Sequence, residues 1–396
     1  MYNFTPPPSD KCAGIYIHVP FCTKICPFCS FPVFRNRPDL HETYVSALLK
    51  EIELTSAQRY AGTPITSLYI GGGTPSLLSV ENLVRIVNHV TKYYRVADRM
   101  TVSLECNPEG IVPEYLYALK NIGITRLSLG IQSFDDGILH RLGRVHNSED
   151  CTRIVDAAQD AGFTNINLDL MYGTPFHTAD NTMRDVERFL AYRPAHISAY
   201  ALTVEPGTRF AVKTDYARQI EQQSGAISEI FAVIRDRLQG AGIYLYEVSN
   251  FAAPGAESVQ NLLYWTDADY YGFGPGAHGK TGGQRRANTS NFRLWQQALH
   301  ADRLPPADEE TLTPDNRRDE FLMIRLRTVW GFDFDELHTH TGLTREAFLA
   351  LPAVQTILRA DYAELRVHRF RLTPSGLMLA DRIAADISCD AARLTA

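Results

Sequence analysis

No stretch of this 396-residue chain approaches the ~18 consecutive apolar residues that a membrane span requires. The opening residues, Met1 to Pro8, have neither the basic start nor the apolar core of a secretory signal, and low-complexity tracts are absent. Positive charge is not in excess: 39 Lys and Arg against 45 Asp and Glu leave a net charge of −6, which argues against a general nucleic-acid binder. Cysteine is scarce and odd in number, seven in all, with no disulfide-like framework. That usage fits a reducing cytoplasm. The hydrophobic fraction of 45% and charged fraction of 21% are those of a soluble globular protein, long enough for a large domain and a smaller one.

Three of the seven cysteines nevertheless share one window, Cys22-Thr-Lys-Ile-Cys26-Pro-Phe-Cys29, directly after the apolar run 14–21. A Cys-x3-Cys-x2-Cys loop can wrap one face of an iron–sulfur cube. The place for a local fourth cysteine is taken by Phe31. A cube with three protein thiolates leaves one iron open to an exogenous ligand. Zinc is the competing reading, with His18 completing a Cys3His set, although the paired spacings of structural zinc sites are missing. Cys12, Cys106, Cys151 and Cys389 are scattered.

From residue 14 to about 246 short apolar runs alternate with longer amphipathic ones. Strands are predicted over 15–18, 67–70, 101–105, 126–129, 165–170, 196–200 and 244–247, and helices over 40–56, 80–94, 113–122, 149–161, 178–192 and 217–240. Repeated strand–helix units imply a parallel sheet with right-handed crossovers, here an α/β fold of the partial (β/α)6 TIM type. In such barrels the active site lies at the C-terminal strand ends, where the cysteine loop falls. Residues 248–302 break the alternation, and Arg303-Leu-Pro-Pro reads as a linker. The remainder to 396 reads as a small helical domain ending in a hairpin and helix, a winged-helix-like pattern.

The run Gly71-Gly-Gly-Thr-Pro75 follows the second predicted strand and lacks the Lys-Ser/Thr ending of a phosphate-binding loop. With the cysteine loop, it makes the chain resemble the radical S-adenosylmethionine (SAM) superfamily. Tyr-Ile-His-Val-Pro-Phe-Cys, Gly-Gly-Gly-Thr-Pro-Ser, Glu-Cys-Asn-Pro-Glu, Leu-Gly-Ile-Gln-Ser-Phe and Asn-Leu-Asp-Leu-Met-Tyr-Gly resemble, in order, the branch of oxygen-independent coproporphyrinogen oxidase and the HemW-type heme chaperones. The resemblance implies a 4Fe–4S cluster on Cys22, Cys26 and Cys29, whose open iron is chelated by SAM. One electron then cleaves SAM to methionine and a 5′-deoxyadenosyl radical. It also implies that Tyr16 and Phe28 pack beside cluster and SAM, and that Gly72, Gly73 and Thr74 contact the methionine moiety. Glu105 would accept from the amino group, Arg144 would pair with the carboxylate, and Gln132 and Asp169 would contact SAM, Asp169 through ribose hydroxyls. A second SAM would be placed near Ala201 and the turn from Gly274 to His278, with Gln132 and His278 as the catalytic candidates, His278 as a proton acceptor or a heme-side ligand against the alternative of a structural histidine capping the turn. The implied division is an extension over 1–13, the barrel over 14–247, a family-specific segment over 248–302 lining the site, and a HemW-like domain over 303–396.

Three positions depart from the branch. Phe31 stands where coproporphyrinogen oxidase has a further cysteine, Ser30 where HemW proteins usually have an acidic residue, and Gln260 where their heme-associated His-Asn-x-x-Tyr-Trp motif begins. Because an amide is a poor iron ligand beside an imidazole, these departures favour radical methyl transfer, or a related C–C bond formation, on a planar unsaturated substrate. Phe31, Phe34, Tyr200, Tyr264 and Trp265 would stack on it. The alternative is a HemW-like chaperone delivering heme to respiratory enzymes; coproporphyrinogen dehydrogenation and heme ring opening rank below. A flavodoxin or ferredoxin is the expected electron donor, and the cytoplasm the expected location.

Overall fold

The computed structural model describes residues 12–212, 214–222 and 224–395; residues 1–11 of the expected extension lie outside them. β1 (Ala13–Val19) alternates cleanly. Ala13, Ile15, Ile17 and Val19 are fully buried against the helical layer, while Gly14, Tyr16 and His18 fall on the opposite face. The two-residue strands β2 (Phe21–Cys22) and β3 (Phe34–Arg35) pair with each other and close the cysteine loop. Then come β4 (Ile65–Gly72), β5 (Val96–Cys106), β6 (Arg126–Gln132), β7 (Ile166–Tyr172) and β8 (His196–Ala201). They stand beside β1 in chain order, each parallel to the last.

The crossovers are α1 (His41–Arg59), α2 (Val80–Tyr93), α3 (Pro113–Asn121), α4 (Asp136–Arg141), α5 (Ser148–Asp160) and α6 (Ala179–Ala191). Their starts follow from local chemistry. Ser79 caps α2, Pro113 opens α3, and Asn147 and Thr178 form reciprocal capping boxes with Asp150 and Asn181. This is the expected partial (β/α)6 barrel.

One expectation changes. The predicted strand 244–247 forms as β9 (Tyr244–Glu247), but it is antiparallel to β10 (Asn250–Ala252), itself antiparallel to β8, so it adds no parallel barrel unit. The helix predicted over 217–240 is found as α8 (Thr214–Gln222) and α9 (Ser224–Gly240), with α7 (Arg209–Val212) before them. Beyond β10, α10 (Val259–Trp265) leads to β11 (Asp269–Phe273), which runs parallel to β1 on its free edge. β12 (His278–Thr281), β13 (Gln284–Asn288) and β14 (Ala307–Thr311) continue that edge antiparallel, with α11 (Phe292–His300) between β13 and β14. The segment after 248 is therefore sheet as well as loop.

The C-terminal unit opens with α12 (Pro314–Leu326). A three-stranded sheet of β15 (Phe332–Asp333), β16 (Ala363–Arg366) and β17 (Arg369–Leu372) follows, with five helices from Phe334 to Thr395. The expected hairpin is β16–β17.

One buried carboxylate ties the barrel to its added edge. Glu51 of α1 is 2% exposed and accepts from Gly274 N–H (2.9 Å), Asn288 Nδ2 (2.6 Å) and Trp295 Nε1 (2.9 Å). Burial outweighs these donors and raises its pKa from 4.5 to about 7. The protonated form thus favours the fold: this contribution is full below about pH 4.5 and is lost as pH rises through about 7. Between about pH 5 and 8, wild type should lose stability relative to Glu51→Gln by up to about 3 kcal/mol in urea melts. A gap independent of pH would show that Glu51 titrates normally.

Candidate active site

The cluster loop is built on main-chain bonds. Phe34 N–H donates to Pro20 O and Asn36 N–H to Cys22 O, each at 2.8 Å, and Cys29 N–H reaches Cys26 O at 3.2 Å. Cys22 thus lies at the base of the loop, with Cys26 and Cys29 on the turn above it. The glycine run after β4 meets this base. Gly73 N–H donates to Val19 O at 2.8 Å, and a Cβ at Gly73 would come within 2.9 Å of Cys22 Sγ. Only glycine lets the two strand ends approach so closely.

Above them opens a cavity of about 390 Å3. It is lined by Cys22, Cys26, Phe28 and Cys29 from the loop, Gly72 at the end of β4 with Gly73 and Thr74 after it, Glu105 of β5, Gln132 of β6, Arg144, and Asp169 of β7. Eleven of the residues predicted for the metal and SAM site thus meet in one place, drawn from five consecutive segments of the barrel. Tyr16 and His278 line a neighbouring cavity, and Ala201 lines neither. Sequence reading missed Lys24, Cys106, Asn107, Ser128 and Met171 in this lining. Asn107 carried a usable signal, its place in Glu-Cys-Asn-Pro-Glu. Its Nδ2 donates to Thr74 Oγ1 at 3.0 Å, and its Oδ1 accepts from Arg144 Nη2 at 2.6 Å.

The polar groups are oriented by further bonds. Tyr69 hydroxyl (2.8 Å) and Gly72 N–H (3.1 Å) donate to the Glu105 carboxylate. Asn167 Nδ2 donates to Asp169 and to Ser128 Oγ, both at 2.7 Å, while its Oδ1 accepts from Ser198. Burial raises the Glu105 carboxyl to about 7 and the Asp169 carboxyl to about 6, and the Asp169 carboxylate adds to the rise at Glu105. Gln132 holds a left-handed backbone (φ 68°) at the end of β6, a strained conformation that turns its amide to the cavity.

The thiols fit an iron–sulfur cluster better than a single ion. Among the described residues no group of three or more His, Cys, Asp or Glu converges on one metal position. A cube spreads its thiolates over different irons and needs no such convergence. His18 does not join the cysteines: its Nε2–H donates to Pro32 O, and its Nδ1 accepts from the Tyr16 hydroxyl, both at 3.1 Å. The zinc reading therefore loses its fourth ligand. Burial pushes the Cys22 thiol up to about 11 and raises Cys29, so these sulfurs need a bound cation to become thiolates. Outer bonds to the sulfurs are in place, from Thr74 Oγ1 to Cys22 Sγ (3.8 Å) and from Arg144 Nη1 to Cys26 Sγ (3.4 Å). A cluster held there would supply the electron that cleaves SAM, and Glu105, Arg144 and Asp169 would be the groups placed to bind and orient it.

A larger cavity, about 930 Å3, adjoins the first. Phe31 lines both and is 63% exposed. Tyr16, His18, Ser30, Tyr264, Tyr270 and His278 also face the larger one. Of the expected stacking aromatics, Tyr200 lines the smaller cavity and Tyr264 the larger. Phe34 instead packs on Phe21 and Phe292, and Trp265 lies under Arg327, so neither lines a cavity. Gln260 is 2% exposed, its amide facing Gly14 and the Tyr264 hydroxyl below both cavities.

Comparison with known proteins agrees with this geometry. The radical SAM superfamily model matches residues 16–189, and the HemN C-terminal domain model matches 312–379. The heme chaperone HemW of Mycobacterium tuberculosis is 35% identical over 376 residues, covering 93% of each chain. HemW of Bacillus subtilis is 34% identical over 80% of this chain and 83% of its own. The chain belongs to the HemW family of radical SAM proteins. Membership implies a 4Fe–4S cluster and SAM. The fold matches that of Escherichia coli coproporphyrinogen III oxidase (HemN) with a TM-score of 0.78, covering 97% of this chain and 91% of that one at 22% identity. These relatives lend methyl transfer no support. No helix among the described residues is long and apolar enough to cross a membrane.

Cys26→Ala should abolish iron–sulfur absorbance and all 5′-deoxyadenosine formation after anaerobic reconstitution; persistent absorbance would sink the ligand assignment. His18→Gln should keep the cluster. A single zinc ion held by wild type and lost in that variant, with no iron–sulfur absorbance in either, would restore the Cys3His reading.

Proposed function

We propose that this protein is a heme chaperone of the HemW type, which takes up heme beside its cluster and passes it to an apo-acceptor. The observation that carries the reading is the 35% identity over 93% of both chains to a protein named for that role. Two features of the site support it. The cavity of about 930 Å3 is large enough for a planar tetrapyrrole, and aromatic side chains on its walls suit a conjugated plate. The departure at Gln260, which favoured methyl transfer, concerns a side chain buried below both cavities, where it lines neither. Under this proposal the radical SAM site gates or accompanies loading, with flavodoxin or ferredoxin as electron donor.

Anaerobic titration of the reconstituted protein with hemin should give a saturable Soret change, and the loaded protein should then transfer heme to apomyoglobin. Absence of saturable binding, with S-adenosylhomocysteine released when SAM, reductant and a quinone acceptor are supplied, would replace the chaperone with a methyltransferase.

A further inference from the structure

Two histidines line the larger cavity, and they differ in what their nitrogens can do. His18 is 2% exposed and uses both, one as donor to Pro32 O and one as acceptor from Tyr16. His278 is exposed at the start of β12, and its ring is not tied to the fold in this way. We propose that His278 is the axial ligand through which this protein holds the iron of its heme cargo in the larger cavity. The inference rests on the heme-chaperone reading.

The main chain that presents His278 is over-determined. Its β12 backbone pairs with Ala287 of β13, and Asn288 N–H donates to Ala277 O at 2.9 Å. The preceding turn is fixed at Gly274, whose N–H donates to buried Glu51 and whose carbonyl accepts from Asn288 Nδ2 at 3.0 Å. On the other side the His278 carbonyl is packed against Gly272, where a Cβ would collide with it. An exposed imidazole therefore stands on a rigid stem, the arrangement a ligand site requires.

The rest of the lining says how the cargo is held. Tyr264 and Tyr270 lie edge to face with centroids 4.7 Å apart, and with Phe31 they offer aromatic surface to a porphyrin plane. No lysine or arginine lines the cavity among the described residues, and Asp308 is its only carboxylate. Heme propionates therefore gain no ion pair there and turn away from Asp308 toward solvent. Attachment then depends on the bond from iron to nitrogen. The imidazole lone pair displaces the water or chloride carried by ferric heme, with no change in oxidation state.

The test compares wild type, His278→Ala and Gln260→Ala in anaerobic hemin titrations followed by absorption and electron paramagnetic resonance. His278→Ala should weaken hemin binding by at least about tenfold and lose the nitrogen-ligated spectrum. Added free imidazole should restore that spectrum, and the iron–sulfur absorbance of the variant should stay intact. Gln260→Ala should bind as wild type does. Metal-free protoporphyrin should bind wild type and His278→Ala equally weakly. If His278→Ala keeps wild-type affinity and spectrum, the ligand lies elsewhere and the inference falls while the chaperone reading stands. If wild type itself binds no hemin, both fall together.

Discussion

One side chain near the end of β1 braces the walls of both cavities. The His18 ring lies against Gly72, where a Cβ would meet its Nδ1 at 2.6 Å, so it backs the turn that borders the smaller cavity. Its Nε2–H reaches Pro32 O at the exit of the cluster loop, and its own carbonyl accepts from the Tyr44 hydroxyl of α1 at 2.8 Å. The same carbonyl packs on Gly274, the start of the turn that carries His278. Pro32 O can only accept, so Nε2 keeps its proton and the tautomer is fixed. Burial lowers the pKa to about 4, which leaves the ring neutral near pH 7 and spares the barrel a buried charge. Cluster loop, glycine turn and His278 stem are thus referred to one rigid point.

The charges around the smaller cavity suit a cationic ligand. Glu105 and Asp169 are hydrogen-bonded by neutral donors (Tyr69 and Gly72 for the one, Asn167 for the other), and both carboxyls are raised. Arg126, 2% exposed at the start of β6, and Arg144 beside the thiols offset part of this without donating to either carboxylate. A ligand bringing positive charge between them would be bound more tightly than a neutral one of the same shape, and in turn would hold both groups ionised. The amino and sulfonium groups of SAM have that character. The network runs deeper, since the Oδ1 of Asn167 also accepts from His196, whose other nitrogen bonds the Tyr246 hydroxyl. Asp169 is therefore oriented by a chain of buried partners rather than by its own strand alone.

What the sequence discloses is what is local. The cysteine spacing, the glycine turn and the period-2 and period-3.6 alternation each lie within a few dozen residues, and they mark six parallel strands and eleven residues that the fold gathers around one cavity. What it hides is non-local. β11 reads Asp-Tyr-Tyr-Gly-Phe without a following helix, and only its pairing with β1, some 250 residues earlier, makes it a barrel edge. Tyr244–Glu247 looks like another parallel strand because an antiparallel edge strand with four half-buried or buried residues has the same pattern. Glu51 is a helical glutamate, unremarked until Gly274, Asn288 and Trp295 are brought to it from the far end of the sheet. Tyr16 was read beside the cluster and the first SAM, and His278 beside a second SAM or as a heme-side ligand, because each flanks a motif. Their strands place them on the far side of Phe31.

Gln260 shows how the place of a residue decides what its identity means. Read along the chain, the missing imidazole counts against heme binding. In the fold, α10 lies by the N-terminal half of β1 and sets this side chain on Gly14, beside the Tyr264 hydroxyl. Tyr264 reaches the larger cavity and Gln260 does not. An amide there acts on the cavity only through the ring beside it. The substitution that does alter the wall is Phe31, which is common to both cavities and presents a large exposed ring where a thiol would be small and reactive. A plate in the larger cavity would meet the cluster site across that ring, close enough for one to influence the other and separated by a side chain that offers iron no ligand.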